Sequence, residues 1–64
     1  MRWEPSFGGW VLRISFTEPC IGHRFAGLIY PRSGGRWLGE VFEKDLAQGF
    51  ESEREARKWV EGKV

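Results

Sequence analysis

Cys20 and His23 are the two side chains whose types and spacing could support chemistry. They form a C-x-x-H arrangement in a loop, and thiolate and imidazole groups serve both as zinc ligands and as nucleophile pairs. The chain has no other cysteine or histidine, so a four-ligand zinc site would need carboxylates or a second copy of the chain. A nucleophile pair needs an orienting third group and a pocket, which neighbouring loop positions do not provide. We expect Cys20 to be a small, partly buried filler and His23 a surface hydrogen bonder.

The segment Gly34-Gly35-Arg36 is a second candidate, because consecutive glycines can form a backbone nest for an anion. No lysine of the Walker type and no helix follows it, so the turn of a hairpin explains it better. The acidic residues of the C-terminal helix have no cleft around them. The sequence therefore predicts no catalytic, metal or cofactor site, and no enzyme.

Length and composition restrict the class of protein further. The 64 residues carry a net charge of +1, which suits one small domain spanning residues 1–64 and argues against a strongly electrostatic nucleic-acid or membrane binder. One cysteine cannot form an internal disulfide. There is no signal-peptide pattern and no apolar run of the roughly 20 residues that a membrane span requires. We expect a cytoplasmic protein.

Alternating and apolar runs predict the strands. The stretch Trp10–Phe16 places Trp10, Leu12, Ile14 and Phe16 on one face. The apolar run Phe25–Tyr30 predicts a strand covered on both faces, and its return strand is Arg36–Glu43 after a turn. Two shorter candidates are Leu46–Phe50 and Met1–Phe7, the latter confined to a sheet edge by Pro5. We expect three or four antiparallel strands.

A capped helix closes the chain. Ser52 is a typical N-cap residue, and Glu55 three positions later completes a capping box. The helix is predicted to run from about Glu53 to Glu61, with Gly62 as its stop. Two four-residue charge pairs, Glu53–Arg57 and Arg57–Glu61, are expected on its exposed side.

These elements predict an α+β domain in which one helix covers one face of an antiparallel sheet. The helix stripe Ala56, Trp59 and Val60 is expected to pack on the face of Trp10, Leu12, Ile14 and Phe16. No second helix can cover the other face, although the strands carry apolar residues there as well. Those residues are Val11, Ala26, Leu28, Tyr30, Leu38 and Phe42.

Two interpretations of that second face remain open. In one, the N-terminal segment with Trp3 and Phe7 folds across it. In the other, it is an exposed apolar patch rimmed by arginines, which marks a contact surface. The partner-binding residues predicted on the second interpretation are Trp3, Arg13, Leu28, Tyr30, Arg32, Arg36 and Leu38.

The C-terminal part, Arg36–Val60, resembles the strand–strand–helix ending of recombinase arm-binding domains and of plant ethylene-response DNA-binding domains. The likeness covers about 25 residues and includes an F-x-S-x-x-E-A-x-x-W element over residues 50–59. It implies a sheet that lies in the major groove of double-stranded DNA, with Arg13, Arg36 and Trp37 reaching bases and phosphates. The low net charge and the acids Glu40 and Glu43 depart from that pattern.

In size and composition the chain also looks like the short single-domain proteins of phages and mobile elements. Among these are anti-CRISPR proteins and other inhibitors of bacterial defence. The resemblance implies a non-enzymatic inhibitor that binds a larger host protein or nucleoprotein complex in the bacterial cytoplasm and occludes a functional surface. The alternatives are a DNA-binding domain and a structural homodimer that buries the second face.

Overall fold

The computed structural model describes residues 1–64 and contains five strands, one α-helix and a short 3-10 turn at Ser33–Gly35. The strands are β1 (Arg2–Ser6), β2 (Gly9–Phe16), β3 (Gly22–Pro31), β4 (Trp37–Val41) and β5 (Leu46–Phe50), and the helix is α1 (Glu53–Lys63). The predicted α+β class with a C-terminal helix is confirmed. The strand number is five, above the three or four expected, because both short candidates, β1 and β5, pair with their neighbours.

The sheet is an antiparallel meander in the order β1-β2-β3-β4-β5. Each strand pairs with the next along the chain, as short connections favour. Ser6 pairs with Gly9 across a two-residue turn, in which Phe7 and Gly8 both have positive φ angles. Such φ angles characterise the type I′ turn of tight hairpins. At the β3–β4 turn, Gly34 and Gly35 also have positive φ angles, in agreement with the hairpin predicted there.

The helix covers one face of the sheet, and the core lies between them. Six residues are buried in this core: Leu12, Ala26, Ile29, Val41, Ala56 and Val60. A ring of half-buried aromatic and aliphatic residues surrounds them, namely Trp3, Trp10, Ile14, Trp37, Phe50 and Trp59. The predicted facing of Trp10, Leu12 and Ile14, and of the helix stripe, is confirmed.

Glycines allow the helix to approach the sheet closely. A Cβ atom built on Gly39 would lie 3.2 Å from both Trp59 and Val60 of α1, and one on Gly27 would lie 2.8 Å from Val60. Two neighbouring strands, β3 and β4, therefore contact α1 at positions that have no side chain. Large aromatic rings at the margin then fill the remaining space.

The side of the sheet on which Ala26 of β3 lies differs from the prediction. Ala26 was expected on the second face, but it is buried in the core. The pairing of β2 with β3 shifts between Leu12 and Arg13, so that Leu12 pairs with Gly27 and Arg13 pairs with Phe25. The extra residue of this bulge is Ala26, and it reverses the alternation of β3 beyond that point.

The N-cap of the helix is confirmed, whereas its end differs from the prediction. The Glu55 N–H donates to Ser52 Oγ at 3.2 Å, and the Glu55 carboxylate accepts from the Glu51 N–H rather than from Ser52. Gly62 does not stop the helix. It lacks the positive φ of a helix-ending glycine, and the Val64 N–H still donates to the Val60 carbonyl at 3.2 Å.

Candidate functional site

The face of the sheet turned away from α1, here called the open face, has no protein segment across it. The N-terminal segment forms β1 in the plane of the sheet, so the interpretation in which it covers this face is wrong. Four half-buried apolar residues lie at the centre of the open face: Val11, Leu28, Tyr30 and Leu38. Val11 pairs with Leu28 and Tyr30 with Leu38 across neighbouring strands, so the four form a contiguous patch.

An apolar depression continues the patch toward the β1–β2 turn. It has a volume of about 240 Å³ and is lined by Ser6, Phe7, Trp10, Val11, Leu28, Ile29 and Tyr30. Phe7 stands at its rim with the ring fully exposed. The backbone of Phe7 has φ +46°, a left-handed conformation that is unusual and strained for a bulky residue.

Arginines flank the same end of the open face, at the β3–β4 turn, because the end of β3 lies beside the start of β2. Arg32 and Arg36 are exposed and line a second depression of about 230 Å³ with Ser33, Trp37, Leu38 and Gly49. The Arg32 guanidinium lies 6.0 Å from the centre of the Tyr30 ring. Arg36 approaches only Glu51, at 3.9 Å, and both side chains are largely exposed. These two cations are therefore available to an acidic group on a partner.

Arg13 lies on the open face, but its charge is already engaged. Its Nη2 donates to Glu4 Oε1 at 3.1 Å, its Nε lies 2.8 Å from Glu4 Oε2, and its guanidinium lies 5.3 Å from the Phe25 ring centre. Arg13 on β2 and Glu4 on β1 thus form a two-contact ion pair across adjacent strands. Arg13 therefore offers a partner a flat, nearly neutral surface rather than a free cation.

Trp3 does not lie with the other predicted contact residues. It is on the helix side of the sheet, where its Nε1–H donates to Glu61 Oε2 at 2.6 Å. The Arg57 guanidinium lies 5.3 Å from the Trp3 ring and 5.0 Å from the Trp10 ring. The predicted Arg57–Glu61 pair is therefore replaced by these contacts, while the Glu53–Arg57 pair forms at 3.2 Å.

The structure thus brings together six of the seven predicted contact residues on the open face and its turn. The same face and its β1–β2 turn also carry Phe7, Val11 and Phe25, which the predicted contact set does not include. Val11 carried a usable signal, since it alternates with the core residues of β2. The sequence gives little indication of where Phe25 and Phe7 lie, because the β3 bulge fixes the position of Phe25 and the positive φ fixes that of Phe7.

Cys20 and His23 are both exposed, so the expectation that Cys20 is partly buried is wrong. No three His, Cys, Asp or Glu residues lie together in a group that could hold a metal ion. The helix α1 is neither long nor apolar enough to cross a membrane. What the open face can do chemically is bury apolar surface and pair arginines with acids.

No family profile, curated protein or solved structure matches the chain.

Proposed function

We propose that the protein is a non-enzymatic binding module that docks a larger protein on its open face. The observation that carries the proposal is the contiguous apolar patch of Val11, Leu28, Tyr30 and Leu38, left without cover by the chain's own fold. Exposed apolar patches with arginines at the rim are characteristic of protein interfaces. Tyrosine and arginine are also among the residues that contribute most to binding energy.

The size of the molecule agrees with this mode of action. A standard interface takes about 800 Å² from each partner, which is roughly a sixth of the 4629 Å² of accessible surface. The molecule measures 43 × 20 × 16 Å, so it can block a partner's surface sterically. On the resemblance in size and composition to short phage proteins, we infer an inhibitor of the phage anti-defence type, including anti-CRISPR, acting in the cytoplasm of a bacterial host.

Phe7 supports docking at the turn end of the face. Its exposed ring buries nothing in the folded chain, and its left-handed backbone costs stability. A bulky residue that strains the backbone and gains no burial in return is explained, on this proposal, by a contact with another molecule. The adjacent depression would take an apolar side chain of the partner beside the Phe7 ring.

Binding of double-stranded DNA is less well supported by the charges on the open face. Glu4 neutralises Arg13, and Glu40 is half-buried beside Leu28 on the same face. Arg2, Arg32 and Arg36 remain as free cations: Arg2 lies beside Arg13 on the edge strand β1, and the other two lie at the β3–β4 turn. Acids beside the apolar centre repel phosphates, and three scattered arginines give little of the electrostatic attraction that DNA binding requires.

Affinity capture from a bacterial host lysate tests the proposal. The unaltered chain should retain one specific protein, and Tyr30→Ala and Arg36→Glu should each abolish its retention. Lys58→Ala, on the exposed side of α1, is the matched control and should retain it fully. Capture should also survive nuclease treatment of the lysate. Retention by Tyr30→Ala equal to that of the control, or loss of all capture with nuclease, would contradict docking on the open face.

A further inference from the structure

The outer edge of β5 carries backbone hydrogen-bonding groups without partners. The Phe42 N–H donates to the Ala26 carbonyl of β3 at 3.0 Å. Because N–H directions alternate along a strand, Val41 and Gly39 direct theirs toward β5, where they pair with Leu46 and Gln48. The residues between them, Ala47 and Gly49, therefore direct their N–H and carbonyl groups away from the sheet.

Nothing else in the fold satisfies these groups. No side chain bonds to Ala47 or Gly49, and no loop or helix backbone does so. The next outward N–H along the chain, that of Glu51, is already taken by the Glu55 carboxylate. The free edge is thus confined to β5 itself, and four of its five residues are exposed.

The two edges of the sheet differ in the features that normally prevent strand pairing. Soluble proteins protect edges with charges, proline or bulges. By the same alternation, the outward positions of β1 are Trp3 and Pro5, and Pro5 has no N–H to donate. The strand β5 (L-A-Q-G-F) has no charge, no proline and no irregularity in its pairing. Of the two outer strands, β5 therefore has the edge that is less protected against pairing with another strand.

We propose that β5 pairs antiparallel with β5 of a second copy of this chain, giving one continuous sheet of ten strands. With the two-fold axis at Gln48, Ala47 faces the second copy's Gly49, and both pairs of backbone bonds form. Leu46 then faces the second copy's Phe50 on the helix side, which extends the apolar surface there. The pairing leaves the open face free, so it is independent of the proposed function.

We assign the partner strand to a second copy of the chain, because the outward N–H and carbonyl groups of β5 are complementary to those of an antiparallel β5. Pairing of β5 with β1 of another copy would generate an open chain of molecules, but Pro5 removes a donor from that edge. Assembly therefore stops at a closed dimer. Asp45 and Glu51 flank β5 and face each other across the axis, so the dimer is weak at low ionic strength.

Sedimentation equilibrium tests the proposal in about 0.5 M NaCl, where the repulsion between these carboxylates is screened. Protein concentrations should extend to about 1 mM, because a small interface gives a weak dimer. The unaltered chain should form a dimer. Gly49→Pro removes an outward N–H and should weaken the dimer by about tenfold or more. Gly49→Ala keeps that N–H and is the matched control, since a Cβ there meets no atom within 4 Å. A monomer at every concentration, or equal dimerisation of Gly49→Pro, would overturn the proposal.

Amide hydrogen exchange in the unaltered chain gives a second readout that does not depend on folding of the proline variant. The amides of Ala47 and Gly49 should exchange about tenfold more slowly at 1 mM than at 20 µM. The Trp3 amide, at an outward position of β1, should exchange at the same rate at both concentrations. Rates at Ala47 and Gly49 that do not change with concentration would overturn β5 pairing.

Discussion

Phe7 combines a left-handed backbone conformation with a fully exposed aromatic ring. It occupies the first position of a two-residue turn with φ +46°, followed by Gly8 with φ +81°. Turns of this kind favour Asn-Gly, because asparagine tolerates the left-handed conformation better than other non-glycine residues. The Phe7 ring is fully exposed, so it adds no hydrophobic stabilisation to the fold. The needs of the hairpin do not explain its presence, whereas the proposed docking on the open face would.

We predict that Phe7→Asn stabilises the fold by about 0.5–1 kcal/mol. Phe7→Ala removes the same ring but keeps a strained backbone, so it should give no gain and serves as the control. Urea denaturation followed by tryptophan fluorescence measures both free energies of unfolding. Destabilisation by Phe7→Asn would show that the ring packs on the folded chain and would remove this argument for a binding role.

At the residue scale, the sequence locates part of the proposed contact surface. Leu28, Tyr30 and Leu38 could be predicted because they lie on strands whose neighbours supply the core. Trp3 could not be placed, because an amphipathic ring on an edge strand suits either face, and its Nε1–H partner Glu61 is 58 positions away. The Arg13–Glu4 pair likewise depends on the register between β1 and β2.

At the scale of elements, close packing of α1 depends on glycines in β3 and β4. We predict that Gly27→Ala destabilises the fold by about 2 kcal/mol or more, because the new Cβ would lie 2.8 Å from Val60 and would also clash with the Glu40 carbonyl. Gly49→Ala meets open space and should change stability by less than about 0.5 kcal/mol. Thermal unfolding of both variants provides the comparison. Equal effects would mean that α1 can shift to relieve the clash.

Some elements can be predicted from the sequence because neighbouring residues alone determine them. The Ser52 cap, the strand Trp10–Phe16 and the glycine-rich β3–β4 turn follow from neighbouring residues alone. The β3 bulge at Ala26 could not be predicted, because the run F-A-G-L-I-Y is apolar throughout and has no alternation to interrupt. The number of strands was underestimated for a related reason: β1 and β5 are short, and pairing with a neighbour is what stabilises them.

At the scale of the whole molecule, one helix and a five-stranded meander give a domain with two unlike faces. The helix side holds the buried core and the tryptophan ring around it. The open side has an apolar centre, an engaged charge pair at β1–β2 and free arginines at the β3–β4 turn. Residues 1–64 form the sheet, its turns and one helix, and the helix lies on one side of the sheet only.

Site-specific photo-crosslinking in bacterial cells tests the proposed role of the open face most directly. Benzoylphenylalanine at position 30, in place of Tyr30, should form a covalent adduct with one larger host protein under illumination. The same group at position 58, in place of the exposed Lys58 of α1, should form none. The absence of an adduct at position 30, or identical adducts from both positions, would contradict docking through the open face.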